Sequence, residues 1–414
     1  MSGGPSMEEI VALPENEIDS EAIEIGPDDL LPRLRDNGYD AERVARRRAW
    51  VTKKTGASLE HTGAVSYDTE VWRGNIENPI GVVQVPCGVA GPVLVHGQYA
   101  KGLFYVPMAT TEGALLRSYE RGMVALTKSG GVQTTVLSDE NQTVPSFFFK
   151  DIAAARAFPG WIEANFVNVQ AVANATTRHG KLKNFKCYQT GRQVLVNLGF
   201  STGDAQGMNM IVRATDAVCR WIQANYSISS YFLFSGMCSE KKPSGFLMTR
   251  GKGKRVTAGA LLTHDVMRLY LHVTADQMFR MWQSTVVGHI QAGAIGYNGH
   301  AANGLTAIFI ATGQDVANIV NSALAMTIFE PHPEGLYVST TLSALSVATV
   351  GGGTGLPTQR ECLSVMGCAG NGNAKKYAEI VAAAILGGEI SMGAAIASQE
   401  FVGAHEQYGR NRPK

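Results

Sequence analysis

The sequence predicts an α+β protein of two to three domains, from its length and from two changes of pattern along the chain. It has 414 residues, and domains usually contain about 100–200 residues each. Short β-type runs separated by Gly and Pro occupy residues 80–106, whereas the chain from about residue 245 is rich in Ala and Gly and is expected to be mostly helical. Between them lies a block of alternating strand and helix patterns, which favours an inserted α+β module.

The composition excludes several classes of function. Lys and Arg number 36 against 35 Asp and Glu, a formal net charge of +1, so no global basic field exists for nucleic acid or an anionic membrane. Hydrophobic residues make up 45% of the chain, which excludes a disordered protein. Charged residues are only 17%, against about 25% in typical proteins. We therefore expect a large buried fraction, including burial between subunits.

The cysteines and apolar runs indicate a cytoplasmic protein without metal or membrane span. No C-x-x-C pair, secretory signal or zinc-type Cys/His spacing occurs, so reduced thiols are expected. The longest candidate apolar runs, Ile380–Leu386 and Leu305–Ala311, are shorter than the ~18 residues typical of a span. The six thiols belong to Cys87, Cys187, Cys219, Cys238, Cys362 and Cys368.

The N-terminal part, residues 1–69, is predicted to be a frayed acidic lead followed by a helical segment. Residues 1–25 are acidic and weakly hydrophobic. A basic helix follows to about Lys54. Two interpretations of its arginines remain open: a solvated helix face, or a contact for an anionic cofactor or a neighbouring subunit. The arginines are Arg43, Arg46, Arg47 and Arg48.

The next elements alternate in type. Periodicity predicts a helix over Ala109–Lys128 and another near Asp151–Phe158. A strong helix is predicted over Met208–Tyr226, where apolar residues recur at helical spacing. Strands are predicted over Val82–Val85, Val93–Val95, Phe104–Val106, Val132–Leu137, Ser146–Phe149, Trp161–Ala175, Phe185–Thr190 and Gln193–Phe200.

Polar residues in apolar or Gly-rich settings are the candidates for chemistry. The chain has no G-x-G-x-x-G fingerprint and no Walker P-loop. Glu112 opens an apolar helical run, where it either complements the helix N-terminus or donates a proton from a buried site. Lys241 and Lys242 lie between a Gly turn and Pro243, as an exposed loop or as cations that stabilise an oxyanion.

Two further positions complete this set. Asp315 follows the strand-like run Leu305–Ala311 and precedes Val316, so it is either an N-cap or a partner for a lysine. His405 lies near the polar C-terminus, where a lone histidine usually has no catalytic role.

Taken together, these strings resemble one family. The chain resembles the catalytic portion of 3-hydroxy-3-methylglutaryl-coenzyme A (HMG-CoA) reductase, of the class shared by eukaryotes and archaea. The resemblance runs from Glu77 to His405 with order and spacing retained. The matching strings are ENPIG (77–81), PCGVAGP (86–92), PMATTEG (107–113), STGDAQGMNM (201–210), SG…EKKP (235–243), GYNGHAAN (296–303), GQD (313–315) and VGGGTGLP (350–357).

The resemblance implies a reduction of an acyl thioester by NADPH, through a hemithioacetal and an aldehyde to an alcohol. Lys241 would stabilise the oxyanion and Glu112 would supply the proton, its neutral form favoured by burial and by a neighbouring Asp315. Asn303 would hold Lys241 and Glu112 in register. His405, on a mobile tail, would protonate the departing thiolate.

The resemblance also implies where NADPH binds. The loop and helix start of residues 204–210 would approach the phosphates, Arg178 beside Thr177 would contact the 2′-phosphate, and three glycines would pass close to the nicotinamide. The positions implied for the cofactor are Thr177, Arg178, Asp204, Gln206, Gly207, Met208, Asn209, Gly351, Gly352 and Gly353.

The implied architecture is a large, mostly helical substrate domain interrupted by a ferredoxin-like dinucleotide-binding domain. The large domain would comprise residues 70–144 and 246–414, the inserted domain residues 145–232, and residues 233–245 a connecting loop with the catalytic lysine. ENPIG resembles a dimer motif. Active sites would lie between subunits of a dimer or a dimer of dimers, with Glu112 from one chain and Lys241 and Asp315 from the other.

The sequence departs from the family at two cations that normally bind the acyl carboxylate. Thr143 and Ser284 occupy an Arg and a Lys position, while Ser235 and Lys242 are retained and Glu240 replaces an Asp. A hydrogen bond to a charged group contributes roughly 1.5–3 kcal/mol, so two losses would weaken binding about 10²–10⁴-fold. We therefore expect a remodelled acyl pocket for a thioester on coenzyme A or a carrier protein. The alternatives are an authentic HMG-CoA reductase that forms mevalonate, or a non-catalytic dinucleotide-binding homologue.

Overall fold

The structure, a computed structural model, describes residues 30–31 and 38–402. The chain divides into two compact units, residues 1–83 and 84–414. The predicted frayed lead (1–25) and His405 lie outside the described residues.

The first unit contains one long helix and two short ones. The long helix begins where the Asp40 carboxylate accepts a hydrogen bond from the Arg43 amide (3.0 Å), and it ends at Gly56, whose φ of 71° suits glycine. Its bounds are α1 Ala41–Thr55, followed by α2 Glu60–Gly63 and a 3₁₀ turn at Thr69–Trp72.

Two of the four arginines on α1 make structural contacts, whereas Arg43 and Arg46 are exposed. Arg47 is buried, and its guanidinium donates to the carbonyl oxygens of Pro79 (2.9 Å) and Gly38 (2.6 Å). Arg48 donates to the carbonyl of Ile80 (3.0 Å). A buried guanidinium is tolerated because it is hydrogen-bonded, so these two side chains fasten α1 to the ENPIG segment instead of forming a solvated face.

The second unit combines ten strands with eleven helices along its described part. The strands are β1 Cys87–Gly97, β2 Lys101–Ala109, β3 Val132–Thr143, β4 Ser146–Phe148, β5 Lys181–Thr190, β6 Gln193–Ser201, β7 Ser230–Phe232, β8 Gly253–Thr263, β9 Ala325–His332 and β10 Gly335–Leu345. The helices are α3 Leu115–Lys128, α4 Ile152–Ala164, α5 Phe166–Ala175, α6 Met208–Asn225, α7 Gly245–Arg250, α8 His264–Val266, α9 Ala275–Gln291, α10 Ala301–Thr312, α11 Ile319–Ser322, α12 Pro357–Val365 and α13 Ala374–Ala397.

Two sheets meet on β3. Its first part pairs with β1 and β8, and the larger sheet has the order β2–β1–β3–β8–β10–β9. Its last three residues, Asn141–Thr143, pair with β6. The smaller sheet has the order β7–β4–β6–β5, all antiparallel. With α4 to α6, this is the strand–helix–strand–strand–helix–strand arrangement of a ferredoxin-like module.

Each sheet has its own hydrophobic core. The larger core surrounds α13 and includes α3 and α10, and the smaller core joins α4–α6 to β4–β6. Helix α13 is long and apolar enough to cross a membrane, but 83% of its most apolar window is buried in the protein. That burial is typical of a core helix.

The α+β fold class is confirmed, and several predicted elements are wrong. Residues 161–175 are helical (α4 and α5), Leu305–Ala311 belongs to α10, and Val82–Val85 forms no strand. The predicted helix over Ala109–Lys128 begins only at Leu115. The part beyond residue 245 contains β8, β9 and β10 besides its helices. Ala- and Gly-rich composition predicts helix in this part of the chain, but small residues also suit a sheet that α13 covers on one face.

Candidate active site

Glu112 lies on the turn between β2 and α3. Its carboxylate accepts hydrogen bonds from the Asn303 amide, with both oxygens 3.0 Å from the nitrogen. The Thr110 hydroxyl accepts from the Glu112 backbone N–H (3.0 Å), which fixes the turn. In the single chain Glu112 is exposed, and its carboxylate contacts Asn303, as the resemblance implies.

Lys241 lies on the loop between β7 and α7. Its φ of 56° is in the left-handed region, and its ammonium lies 2.7 Å from a carboxylate oxygen of Asp315. The other Asp315 oxygen accepts from the Ala317 backbone N–H (3.1 Å) at the start of a 3₁₀ turn. Asp315 is therefore both an N-cap and the partner of the lysine, so both interpretations of this residue apply.

These two pairs lie at opposite ends of one helix. Asn303 is in the first turn of α10, and Asp315 follows its last residue, Thr312. A helix of 12 residues is about 18 Å long. Glu112 and Lys241 are therefore held at different ends of α10, and among the described residues Asn303 contacts Glu112 and makes no hydrogen bond to Lys241.

The remainder of the lysine loop is held by buried contacts. The Glu240 carboxylate lies 2.8 Å from the Lys252 ammonium, whose side chain is fully buried. The Ser235 hydroxyl donates to the Val144 carbonyl (2.7 Å), and the exposed Lys242 ammonium donates to the Glu240 carbonyl (3.3 Å). Sequence reasoning missed Lys252, for which an interior lysine in the string GKGK was the available signal.

Thr143 and Ser284, which stand where the family has an Arg and a Lys, supply no charge. Thr143 is buried, and its hydroxyl shares a hydrogen bond with that of Thr215 (2.6 Å). Ser284 is exposed on α9. However, a cavity of about 140 Å³ beside Glu112 is lined by two other cations, Arg117 and Arg121.

Arg121 is held in place in that cavity. Its guanidinium donates to the Ser391 hydroxyl (3.0 Å), and burial lowers its pKa while Glu400 opposes the shift. Arg117 is more exposed and lies 2.9 Å from Glu120. The cavity thus retains positive charge that an anionic group can contact.

The start of α6 fits an anionic ligand. Gly207, with φ 80°, precedes the helix and has no side chain to cap its first-turn N–H groups, which include those of Met208 and Asn209. A Cβ at Gly207 would lie 2.5 Å from Thr202. The buried Gln206 Nε2 has no hydrogen-bond partner among the described residues. A polar ligand at this loop would supply one.

Asp204 closes this loop from inside the protein. Its carboxylate accepts from the backbone N–H groups of Gly372 (2.7 Å) and Ala374 (3.0 Å), and its carbonyl accepts from Thr349 (2.9 Å). It therefore connects the loop to the glycine-rich stretch that follows Thr349. A Cβ added at Gly351 or Gly352 would meet no atom within 4 Å, whereas one at Gly353 would meet the backbone of Gly313.

Thr177 and Arg178 lie on a turn beside the same helix. The Thr177 hydroxyl accepts from the Gly180 N–H (3.1 Å), and a Cβ at Gly180 would touch Met210 in the first turn of α6. Arg178 is exposed. In the described part of the chain, no three His, Cys, Asp or Glu side chains are placed to hold a metal ion.

The structure combines an α+β fold that contains a ferredoxin-like module with an uncapped helix start at α6, a lysine–aspartate pair and a glutamate held by an asparagine amide. A family model for hydroxymethylglutaryl-coenzyme A reductase matches residues 43–410. The chain therefore belongs to the HMG-CoA reductase family.

Relatives and solved structures agree with this assignment. The 3-hydroxy-3-methylglutaryl-coenzyme A reductase of Pyrococcus abyssi is 44% identical over 384 residues, covering 90% of this chain and 94% of the relative. That of Aeropyrum pernix is 42% identical over 382 residues, covering 90% and 91%. The class II reductase of Streptococcus pneumoniae, solved with NADPH in open conformations, has a TM-score of 0.64 at 20% identity and covers 85% of this chain and 97% of that chain.

Proposed function

We propose that the chain is an NADPH-dependent HMG-CoA reductase, which reduces its thioester through a hemithioacetal and an aldehyde to an alcohol. The observation that carries the proposal is the retention of the Glu112–Asn303 and Lys241–Asp315 pairs in a chain 44% identical to a curated reductase. This favours the authentic enzyme over our expectation of a remodelled pocket.

The residues have distinct tasks in this proposal. Bound NADPH supplies the hydride. Each reduction places negative charge on the former carbonyl oxygen, which the Lys241 ammonium stabilises while Asp315 orients it. Glu112 delivers a proton, with Asn303 fixing its carboxyl group. His405 protonates the departing coenzyme A thiolate, so that the thiolate does not add back.

The cofactor is assigned to the smaller sheet and the start of α6. The open glycines Gly351 and Gly352 and the unpartnered Gln206 amide support this location. Arg178 would contact the 2′-phosphate of bound NADPH, so an Arg178→Ala variant should lose most of its preference for NADPH over NADH. The inserted domain is residues 145–232, the lysine loop residues 233–245, and the large domain residues 70–144 and 246–414, after an N-terminal segment of residues 1–69.

A second copy of the chain completes the site. Glu112 is held by Asn303 in the first turn of α10 and Lys241 by Asp315 beyond its last turn, and a helix of this length spans about 18 Å, which argues against both acting on one carbonyl within a single chain. The arrangement that brings them together is a homo-oligomer in which Glu112 comes from one subunit and Lys241 and Asp315 from its partner. A cytoplasmic location stays a prediction.

A second candidate function differs from the first in the acyl group of the thioester that is reduced. Arg117 and Arg121 line the cavity beside Glu112 and can hold the acyl carboxylate in place of the missing cations. Thr143 and Ser284 favour instead a thioester with a less acidic acyl group, on coenzyme A or a carrier protein.

Steady-state kinetics with HMG-CoA and NADPH, with products identified by mass spectrometry, decides between them. A KM in the usual range of about 1 μM–1 mM, with two NADPH consumed per alcohol, supports the authentic reaction. If the protein reduces other thioesters but not HMG-CoA, the result supports the second candidate, a reductase of a thioester with a less acidic acyl group. Absence of NADPH oxidation with every thioester and aldehyde would leave a non-catalytic homologue.

A lysine introduced at Ser284 gives a second test of whether the acyl pocket binds the HMG-CoA carboxylate or is remodelled. Ser284 is exposed on α9, so Ser284→Lys should fold. If Arg117 and Arg121 already hold the carboxylate, the KM for HMG-CoA should change less than about threefold, as in the control Ser284→Ala. A fall of tenfold or more in the lysine variant alone would favour the remodelled pocket.

A further inference from the structure

Helix α13 carries two buried carboxylates ten residues apart, Glu379 and Glu389. Their residues are 0% and 5% exposed. Glu379 accepts hydrogen bonds from three successive backbone N–H groups in the turn between β1 and β2, namely Gln98 (3.0 Å), Tyr99 (2.8 Å) and Ala100 (2.7 Å). A buried carboxylate needs such donors to offset its desolvation.

Glu389 makes the same kind of contact at the start of α10. It accepts from the backbone N–H groups of Gly299 (2.9 Å) and His300 (2.6 Å) and from the Thr327 hydroxyl (3.1 Å). The first N–H groups of a helix lack partners within it and favour negative charge. The acceptor that caps α10 therefore comes from another helix.

The capped end is also the end that carries Asn303. Asn303 lies three residues after His300, in the first turn of α10, and its amide bonds both oxygens of Glu112. The Tyr119 hydroxyl donates to the His300 carbonyl (2.7 Å) from α3, the helix that follows Glu112. The link from Glu389 to the Glu112 carboxyl thus runs through one capped helical turn.

We propose that Glu389 is a positioning residue: by capping α10, it fixes Asn303 and, through Asn303, the carboxyl group of Glu112. The inference rests on the proposed function, in which Glu112 donates the proton. Glu389 does not touch the reacting atoms. A displacement near 1 Å at a reacting group can cost about 10²-fold in rate, so a loosened first turn of α10 has a large kinetic effect.

Glu379 is a matched control, because it is on the same helix, equally buried and bonded to three donors, but serves a turn at the far end of β2 from Glu112. An amide has only one accepting oxygen, so Glu389→Gln and Glu379→Gln should each lose hydrogen bonds and show similar falls in Tm. Only Glu389→Gln should lower kcat, by about tenfold or more, with the KM for NADPH within about twofold of wild type.

A double-mutant cycle tests the route. If Glu389 acts through Asn303, then Glu389→Gln should cost less than about twofold in kcat when added to Asn303→Ala. A full additional tenfold loss would overturn the route. An equal loss of kcat in Glu379→Gln would reduce Glu389 to a stabilising residue. If Glu389→Gln does not fold, Glu389→Asp keeps the charge but shortens the side chain, and the same comparison applies.

Hydrogen exchange separates this inference from the proposed function. Amides 299–303 should exchange at least about tenfold faster in Glu389→Gln than in wild type, and Glu379→Gln should leave them unchanged. This readout needs no turnover, so it holds even if HMG-CoA is not the substrate. Unchanged exchange at 299–303 in Glu389→Gln would overturn the positioning role.

Discussion

The two halves of the candidate site are built differently. The Glu112 half is attached to the main core: its turn joins β2 to α3, and Asn303 holds its carboxyl from α10. The Lys241 half is a loop in which Ser239 (φ 49°) and Lys241 (φ 56°) are both left-handed. Such residues cost of order 1–3 kcal/mol each and persist only when their surroundings enforce them.

The difference shows what each half depends on. The lysine loop is enforced by the buried Lys252–Glu240 ion pair and by the pairing of Lys241 with Asp315. The Glu112 half depends on a helix start. Both leave their reactive groups exposed in one chain, with Lys241 and Asp315 side chains 42% and 40% exposed. Each half is thus accessible to a second chain, as the proposed homo-oligomer requires.

The largest effect is expected from removing the ammonium. Lys241→Ala should lower kcat at least about 10²–10³-fold for both thioester and aldehyde, because the developing oxyanion loses its counter-charge. The measurement is NADPH oxidation with each substrate. Lys128→Ala, an exposed lysine at the end of α3, is the control and should retain full activity.

A smaller effect is expected from the ion pair behind the loop. Lys252→Met leaves Glu240 without its partner and should destabilise the protein by a few kcal/mol, below the roughly 3–5 kcal/mol of a fully buried pair, because Glu240 is 19% exposed. Lys254→Met breaks the comparable pair with Asp139 (3.3 Å). Denaturant unfolding should show similar losses, whereas only Lys252→Met should reduce kcat. If Lys252→Met and Lys254→Met have equal kcat values, the Lys252–Glu240 ion pair does not position Lys241.

A third prediction tests whether the cavity beside Glu112 binds the acyl group. Arg117→Ala should raise the KM for HMG-CoA about two- to fivefold, because an exposed charge contact contributes roughly 0.2–1 kcal/mol. The control is Arg280→Ala, an exposed arginine paired with Asp276 on α9. An unchanged KM would show that Arg117 does not contact the acyl group.

The smallest effect concerns pH. Burial raises the pKa of Glu389 more than its hydrogen bonds lower it. A carboxyl whose pKa is raised by folding stabilises the protein fully below its unfolded pKa, and this contribution is lost as pH rises through the folded value. From about pH 4.3 upward, the Tm of wild type should therefore fall relative to Glu389→Gln. Parallel Tm–pH curves for the two proteins would contradict this.

The features that the sequence predicts correctly are those determined by residues close together in the chain. Helix α6 was predicted over Met208–Tyr226 and ends at Asn225, because its periodicity lies within the segment. The capping role of Asp315 was predicted for the same reason. The three strands after residue 250 were missed, although alternation in β10 was a signal. Glu389 and Lys252 were missed because their partners, Gly299–His300 and Glu240, are determined by packing.

The central claim is that Glu112 and Lys241 act together across two copies of the chain. The most direct test mixes two inactive variants, Glu112→Gln and Lys241→Ala, after unfolding and refolding them together. If each site takes one residue from each subunit, heterodimers carry one intact site, and activity should return to about a quarter of wild type. If the mixture stays as inactive as each variant alone while heterodimers form, the site lies within one chain and the account is wrong.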